Sequence, residues 1–241
     1  MTEPVLSIVV PVLNEADNVA PLIAEIRRAV GDLGAYEILF VDDGSTDETV
    51  ERIRAEMTPG DLRLVRHKAR CGQSTALLTG VQAARGVFIT TLDGDGQNDP
   101  ADIPLLWQAA QNHINATTQP FLVCGYRVNR RDTWMKRRSS RIANAIRRWA
   151  LNDDTRDTGC SLKLYRRDLF LRLPHFDHNH RFLCALAIRA GGVILSVPVN
   201  HRPRLSGVSK YGFWDRLWVG IDDLWGVAWL MRRMRRPEVV E

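Results

Sequence analysis

Short apolar runs alternate with amphipathic segments along the first half of the chain, and this alternation restricts the fold more than any other feature. Runs rich in β-branched residues predict four buried strands, at Leu6–Val10, Tyr36–Val41, Leu62–Val65 and Val87–Leu92. Helices are predicted between them, over about residues 19–30, 48–57 and 72–84, the first capped by Asp17 or Asn18. This order predicts an α/β fold with a parallel, doubly wound sheet.

The loops that leave three of these strands are acidic. They carry Glu15, then Asp42 and Asp43, and then Asp93 and Asp95. In doubly wound sheets ligands bind beyond the carboxyl ends of the strands, so we expect the three loops to meet at one site. Each loop alone also fits turn and capping chemistry, but together they indicate a ligand.

The sequence that follows the fourth strand, Asp93-Gly94-Asp95-Gly96, indicates a metal site. Two neighbouring carboxylates at the end of a buried strand repel each other and are costly to desolvate. Mg²⁺ or Mn²⁺ relieves both effects, because these ions bind carboxylate oxygens together with water and substrate phosphate. We therefore predict that Asp93 and Asp95 hold a metal-bound diphosphate. An EF-hand is excluded, because Gln97 and Asn98 do not fit its loop.

Several other protein classes are excluded. The first strand is not followed by the Gly-x-Gly-x-x-Gly of dinucleotide-binding folds, and the chain contains no P-loop motif. The four cysteines form no Cys-x-x-Cys pair, which is typical of reduced residues in a cytosolic protein. The acidic N-terminus predicts no signal peptide, and no apolar run reaches the ~18 residues of a membrane span.

Charge divides the chain into two halves. Residues 1–125 carry 9 Lys and Arg against 17 Asp and Glu, a net charge of −8, whereas residues 126–241 carry 24 against 11, a net charge of +13. The acidic half suits a metal ion. The basic half suits an anion, which could be a phosphate, an acidic membrane surface or nucleic acid.

The second half continues the α/β pattern. Strands are predicted at Phe121–Gly125, Ser161–Tyr165 and Val193–Val199, and helices over residues 101–111 and 180–189. Residues 112–119 are polar and predict a loop. A basic helix is predicted from Trp134, and residues 201–212 form a basic loop. The spacing of His175, His178 and His180 matches no usual zinc motif.

The last segment, Phe213–Met234, has the pattern of an amphipathic helix. Four of the seven tryptophans lie in it, and arginines follow at positions 232, 233, 235 and 236. Such a helix either packs on the domain or lies at a membrane surface, with tryptophans at the headgroups and arginines on acidic lipids.

Eight segments in order resemble glycosyltransferase family 2, in its dolichol-phosphate and polyprenyl-phosphate sugar transferase branch. They are VVPVLNE (9–15), VDDGSTDET (41–49), GQSTALLTG (72–80), LDGDGQNDP (92–100), GYR (125–127), SSRIAN (139–144), DTGCSLKLYRRD (157–168) and RLSGVSKYG (204–212). The resemblance implies a GT-A fold, a Rossmann-like and mostly parallel sheet with flanking helices. It places a glycosyltransferase domain at residues 1–212, with a nucleotide-sugar and metal half (1–125) and an acceptor half (126–212), before the amphipathic helix of residues 213–241.

The resemblance also implies roles for matching residues. Base and ribose of the donor would contact Pro11, Leu13, Glu15, Asp42 and Asp43, and the metal and diphosphate would contact Asp93, Asp95 and Gln97. The acceptor phosphate and the donor diphosphate would contact Arg127, Ser140, Arg204 and Lys210. A family arginine four positions before that serine is Lys136 here, with Arg137 and Arg138 beside it, so which of the three acts stays open. The membrane spans and the asparagine near residues 69–70 of many relatives are missing.

The implied activity is metal-dependent, inverting transfer of a hexose from a GDP- or UDP-sugar to a polyprenyl or dolichyl phosphate. No Gln-x-x-Arg-Trp signature of polysaccharide synthesis is present, since Arg147-Arg148-Trp149 lacks the glutamine. One alternative is transfer to a hydroxyl of a lipid or saccharide in cell-envelope biosynthesis. Another is a non-catalytic membrane- or nucleic-acid-binding protein, although too few aromatic residues interrupt the basic run to favour nucleic acid. We expect a cytoplasmic protein held peripherally at the inner membrane face, directly or through a membrane partner protein.

Overall fold

The computed structural model describes residues 3–58, 60–128, 147–151, 153–203 and 213–233, the last of these by backbone alone up to residue 221. The chain forms two compact units. One consists of residues 1–130 and 155–207, and the other of residues 131–154 and 208–241. The predicted domain boundary after residue 212 stays a prediction.

The first unit contains a mixed sheet with helices on both faces. Its described strands are β1 (Leu6–Val12), β2 (Tyr36–Asp42), β3 (Leu62–Arg66), β4 (Phe88–Thr91), β5 (Phe121–Arg127), β6 (Lys163–Arg166) and β7 (Val193–Val199). Its described helices are α1 (Ala16–Val30), α2 (Thr49–Ala55), α3 (Gln73–Ala83), α4 (Ile103–Ala116), α5 (Arg167–Leu171) and α6 (Leu183–Arg189). Short 3₁₀ turns at Pro100–Asp102 and Asn179–Arg181 precede α4 and α6.

The described strands lie in the order β3-β2-β1-β4-β6-β5-β7. All neighbouring pairs are parallel except β4–β6 and β5–β6, in which β6 runs antiparallel. The order reverses between β1 and β4, and the loops after these two strands therefore flank the position where such sheets bind ligands. The predicted α/β, mostly parallel doubly wound fold is confirmed.

Side chains alternate between two hydrophobic layers, as the pleat of a strand requires. Ile8 on β1 packs into the layer that contains Ile23 of α1 and Leu106 of α4. Val9, the next residue, packs into the opposite layer with Val81 of α3. Because both faces are covered, the strands read as continuous apolar runs rather than as alternating ones.

Two local predictions are wrong, and one short helix was missed. Neither Asp17 nor Asn18 caps α1: Glu15 occupies the N-cap position, and Asn18 lies in the first turn, where its Nδ2 donates to Glu15 Oε2 at 2.7 Å. The loop predicted from residue 112 is helical up to Ala116, because polar exposed residues continue the outer face of α4. The short helix α5, directly after β6, was not predicted.

The second unit is described at residues 147–151, 153–154 and 213–233. Its long helix α7 (Phe213–Arg233) confirms the predicted C-terminal helix. Arg147 and Asp153 form an ion pair with Nη1 and Oδ2 2.8 Å apart. Trp225 and Trp229 are exposed on α7, and Trp149 is also exposed. Among the described helices of the chain, none has both the length and the apolar composition needed to cross a bilayer.

Candidate active site

The metal loop, which we define as residues 92–98, turns sharply after β4. Its Asp93 amide donates to Asn98 Oδ1 at 3.1 Å, and Asp95 Oδ1 accepts from the Gln97 amide at 3.1 Å. Gly94 lies so close to β1 that a Cβ at this position would be 2.4 Å from Cγ1 of Val12. The absence of a side chain at position 94 therefore lets the loop pack directly on the end of β1.

Asp93 is surrounded by polar groups from α3 and from the segment that leads into β6. Its Oδ1 accepts a hydrogen bond from Gln73 Nε2 at 2.7 Å, and its Oδ2 accepts one from the Ser161 hydroxyl. Burial first, and then the neighbouring Asp95 carboxylate, raise the pKa of Asp93, against the opposing effects of Ser161, Lys163 and Gln73. A cation bound to both carboxylates would offset both causes of this shift, because it favours their charged forms.

Asp42 and Asp43, at the end of β2, are both buried but have different partners. Oδ1 of Asp42 accepts from the Ser45 amide at 3.1 Å, whereas Asp43 accepts from the amides of Cys71 and Gly72, each at 2.8 Å. His67 Nδ1 also lies 2.8 Å from Asp43 Oδ1. Asp43 thus holds the loop that leads from β3 into α3.

The loops after β1 and β2 are joined to each other. Asn14 adopts a left-handed backbone conformation with φ of 52°. Its amide donates to Ser45 Oγ at 2.9 Å, and its Oδ1 accepts from the Thr46 amide at 2.8 Å. Glu15 follows, and its amide donates to Thr49 Oγ1 at 2.8 Å. Glu15, Asp42 and Asp43 therefore lie on two loops that are held in one arrangement.

Strand β6 brings residues from late in the chain to the metal loop. Because β6 runs antiparallel to β4, its first residues lie beside the carboxyl end of β4, with Lys163 opposite Thr91. The Lys163 ammonium is buried and donates to the carbonyl oxygens of Cys160 and Thr158. Ser161 and Lys163 belong to a segment that resembles the family, but the sequence assigned them no role.

Arg127, at the end of β5, forms a two-pronged ion pair. Its Nε is 2.7 Å from Asp157 Oδ2, and its Nη2 is 2.8 Å from Asp157 Oδ1. Its predicted contact with a phosphate stays a prediction. The predicted contacts of Lys136, Arg137, Ser140, Arg204 and Lys210 lie outside the described residues.

The end of β7 is fastened to the metal loop. Asn98 and His201 form a bridge, and the Arg202 amide donates to the carbonyl oxygen of Gln97 at 3.0 Å. The Arg202 guanidinium binds Glu25 Oε2 at 2.8 Å and also Asp99. Gln97, one of the predicted metal ligands, is thereby held between β4 and β7.

A cavity of about 290 Å³ is lined in part by Asp93. Its lining, all within the first unit, consists of Gln73, Leu77, Thr91, Leu92, Asp93, Thr158, Gly159, Cys160, Ser161, Lys163, His180, Arg181 and Leu183. His180 Nδ1 lies 2.7 Å from the buried Ser74 hydroxyl. Burial, with smaller contributions from nearby cations, lowers the pKa of His180 to about 3, so this imidazole is neutral at pH 7. Sequence spacing offers no reason to connect His180 with Asp93.

The model of the glycosyl transferase family 2 matches residues 7–173, which is most of the chain and includes the loops after β1, β2 and β4. The chain belongs to glycosyl transferase family 2. The predicted family and the predicted enzyme class, a glycosyltransferase, are confirmed.

Two curated relatives of this glycosyltransferase are named for lipid-phosphate substrates. A dodecaprenyl-phosphate galacturonate synthase from Rhizobium johnstonii is 36% identical over 96% of this chain and 69% of its own length. An undecaprenyl-phosphate 4-deoxy-4-formamido-L-arabinose transferase from Edwardsiella ictaluri is 35% identical over 86% of this chain. The match spans 63% of the length of that second relative.

Solved structures of other glycosyltransferases share the fold. A mannosyltransferase from Pyrobaculum calidifontis, in complex with GDP-Man and Mn²⁺, has a TM-score of 0.68 at 22% identity and covers 98% of this chain and 67% of its own. The glucosyl-3-phosphoglycerate synthase of Mycobacterium tuberculosis, in complex with Mn²⁺ and UDP-glucose, has a TM-score of 0.67 at 18% identity and covers 97% and 80%. At these identities the likeness establishes the fold alone.

Proposed function

We propose that the protein transfers a sugar from a nucleotide-sugar to the phosphate of a polyprenyl-phosphate lipid. The observation that carries this proposal is the arrangement at the end of β4, where Asp93 and Asp95 lie in a tight loop against Ser161 and the buried Lys163. The names of the two curated relatives, which refer to dodecaprenyl and undecaprenyl phosphate, support the choice of acceptor.

A divalent cation, Mg²⁺ or Mn²⁺, belongs to this proposal. Asp93, Asp95 and Gln97 would hold it, and they offer oxygen ligands, which these ions prefer. The fit is good, because Asp95 is buried, Asp93 is half-buried, and the two carboxylates are close enough for Asp95 to raise the pKa of Asp93. When bound, such an ion stabilises the charge that develops on a leaving nucleoside diphosphate. Mn²⁺ in both structural neighbours described above supports a divalent ion.

The donor would lie across the carboxyl ends of β1, β2 and β4. Its base and ribose would contact Pro11, Leu13 and Glu15 from the first loop and Asp42 and Asp43 from the second. Since the hydrogen bonds of Asn14 join these two loops, the residues that contact the base and ribose would be held in one fixed arrangement. The neighbours contain GDP-Man and UDP-glucose, so either nucleotide is compatible with the fold.

The nucleophile would be an oxygen of the lipid phosphate. It attacks the anomeric carbon, and the bond from that carbon to the diphosphate oxygen breaks, which inverts the configuration. A phosphate monoester has a second pKa of about 6, so at pH 7 it is largely ionised and needs no strong base. His180 has a low pKa and is therefore a weak base, which agrees with a reaction that needs no strong one. Arg127, Lys136, Arg137, Ser140, Arg204 and Lys210 would bind the phosphates.

The second unit would hold the protein at the membrane surface. Trp149, Trp225 and Trp229 are the three most exposed large hydrophobic residues of the described chain, at 81%, 68% and 60%. Trp225 and Trp229 are four residues apart and thus lie on one side of α7, with Arg232 and Arg233 in the last turn. Exposed tryptophans beside arginines suit the headgroup region of an acidic bilayer. The protein would then be bound peripherally to the cytoplasmic face of the membrane.

A screen of donors and acceptors tests the proposed function. We expect release of nucleoside diphosphate only when a nucleotide-sugar, a short polyprenyl phosphate and Mn²⁺ or Mg²⁺ are all present. Asp95→Asn should abolish release, with unchanged circular dichroism as the control for folding. Equal use of the corresponding polyprenol, which lacks the phosphate, would contradict the proposal and favour a hydroxyl acceptor. No transfer from any donor would favour a binding protein without activity.

A further inference from the structure

The cavity beside Asp93 has the size of a single sugar ring. Its 290 Å³ corresponds to about ten water molecules at roughly 30 Å³ each, which is enough room for one sugar ring. Apolar walls from Leu77, Leu92 and Leu183 suit the carbon face of a pyranose. Neutral hydrogen-bonding groups between these walls suit its hydroxyls.

Arg181 differs from the other charged groups of this lining. Asp93 is bound by Gln73 and Ser161, and Lys163 donates to backbone carbonyls. The half-buried Arg181 guanidinium, in contrast, makes no hydrogen bond or ion pair in the described part of the chain. A half-buried arginine that lines a cavity without a partner is poised to bind an anion.

The remaining charges of the lining favour the same conclusion. With Asp93 engaged in metal binding, Lys163 and Arg181 leave the cavity positively charged, because His180 is neutral at pH 7. A neutral hexose would give the Arg181 guanidinium only hydroxyl partners. A carboxylate on the sugar would accept two parallel hydrogen bonds from it, which is the geometry that arginine supplies best.

We propose that this cavity holds the transferred sugar, and that Arg181 selects a sugar bearing a carboxylate, such as a hexuronic acid. This inference rests on the proposed function, since it concerns the donor of the same reaction. Arg181 acts here as a residue that determines specificity.

Matched donors provide the test. UDP-glucuronate and UDP-glucose, UDP-galacturonate and UDP-galactose, and GDP-mannuronate and GDP-mannose differ within each pair only at C6. Calorimetric titration with Mn²⁺ present measures binding without any acceptor. We expect the wild type to bind the acidic member of at least one pair more tightly, by about 10- to 100-fold for a charge-assisted pair in a half-buried site.

Three variants isolate the side chain. In Arg181→Gln the preference for the acidic sugar should fall at least about tenfold, while affinity for the neutral sugar changes little. Arg181→Lys, which keeps the charge but not the fork, should restore part of it. Arg172→Gln, at an exposed arginine outside the cavity, serves as the matched control and should keep the full preference.

Two results would overturn the inference: no acidic donor binds the wild type more tightly than its neutral partner, or Arg181→Gln keeps the wild-type preference. Because binding is measured without acceptor, failure of lipid-phosphate transfer leaves this test intact. Conversely, transfer to polyprenyl phosphate by a wild type that shows no preference for the acidic donor would support the proposed function while contradicting the role of Arg181.

Discussion

Arg127 and Asp157 are joined by two parallel hydrogen bonds, 2.7 and 2.8 Å long, that fix the loop before β6 to the end of β5. Both side chains are largely buried, at 17% and 9% exposure. Loss of one partner from such a pair costs more than the pair contributes, because the other charge stays in a poorly solvated position.

We therefore expect Arg127→Ala to lower the free energy of unfolding by about 2–4 kcal/mol, measured by urea denaturation. Arg166→Ala is the matched control, since the ion pair of Arg166 with Asp168 is exposed and should contribute less than about 1 kcal/mol. Similar losses for the two variants would show that the buried pair is not structural. If Arg127→Ala raises the KM for the lipid phosphate more than the KM for the donor, this would independently support the predicted phosphate contact of Arg127.

Asp93→Asn should make the metal-free protein more stable and should abolish its metal binding. The raised pKa of Asp93 means that folding favours its protonated form, so this contribution is full below about pH 4 and is lost as pH rises through the raised pKa. Asparagine imitates the protonated form. Metal-free Asp93→Asn should thus have a higher Tm than the wild type at pH 7, and the difference should shrink toward pH 4.

The same variant tests metal binding. Saturating Mn²⁺ should raise the Tm of the wild type and should leave the Tm of Asp93→Asn unchanged. At an Mn²⁺ concentration a hundred times Kd, the free energy of unfolding of the wild type should rise by about 3 kcal/mol. A wild type that is indifferent to Mn²⁺ and as stable without metal as the variant at pH 7 would contradict both the site and the pKa argument.

Gly94→Ala should displace the metal loop. The added Cβ would overlap Cγ1 of Val12, and overpacking of this kind costs about 1–3 kcal/mol. We expect a lower Tm and a loss of turnover, both measured at saturating metal. Val12→Ala, combined with Gly94→Ala, should partly restore both the Tm and the turnover, because it removes the overlapping methyl groups. Gly226→Ala on α7, where a Cβ meets open space, is the control and should be neutral or slightly stabilising.

The exposed tryptophans should bind acidic lipid. We expect the full-length protein to co-sediment with anionic vesicles at low salt and to be released as salt rises, since each arginine near such a surface contributes roughly 1 kcal/mol. Replacement of both Trp225 and Trp229 by serine should weaken this binding. Leu105→Ser, at an exposed apolar residue of α4, should not. Absence of binding by the wild type would favour a partner protein that presents the lipid.

Much of the sheet could be predicted because its signals are local. The strands are apolar runs, and their carboxyl ends coincide with acidic loops, so the residue pattern alone assigns Glu15, Asp42 and Asp93 to one edge of the sheet. The predicted start of α1 was wrong, because neither of the two candidate caps, Asp17 and Asn18, is the N-cap residue, and the helix begins where the Glu15 amide meets Thr49 of another loop.

Other contacts of the site could not be predicted, because they join distant residues. Ser161 reaches Asp93 from 68 positions away, and His180 reaches Ser74 from 106. No local pattern states that β6 runs antiparallel to β4, and a parallel β6 would not begin beside the metal loop. The segment around Ser161 was identified only by its resemblance to the family, and this resemblance did not indicate a role for Ser161.

The insertion of β6 between β4 and β5 has a consequence for synthesis on the ribosome. Strands β1 to β4 are complete at residue 91, but the neighbour of β4 begins at residue 163. At about 5–20 residues per second, the growing chain carries β4 as an open edge for roughly 4–15 s. An unpaired edge can pair with another chain, so this interval is when the nascent protein is most exposed to aggregation. A chain terminated before residue 160 would keep the nucleotide loops and retain that open edge permanently.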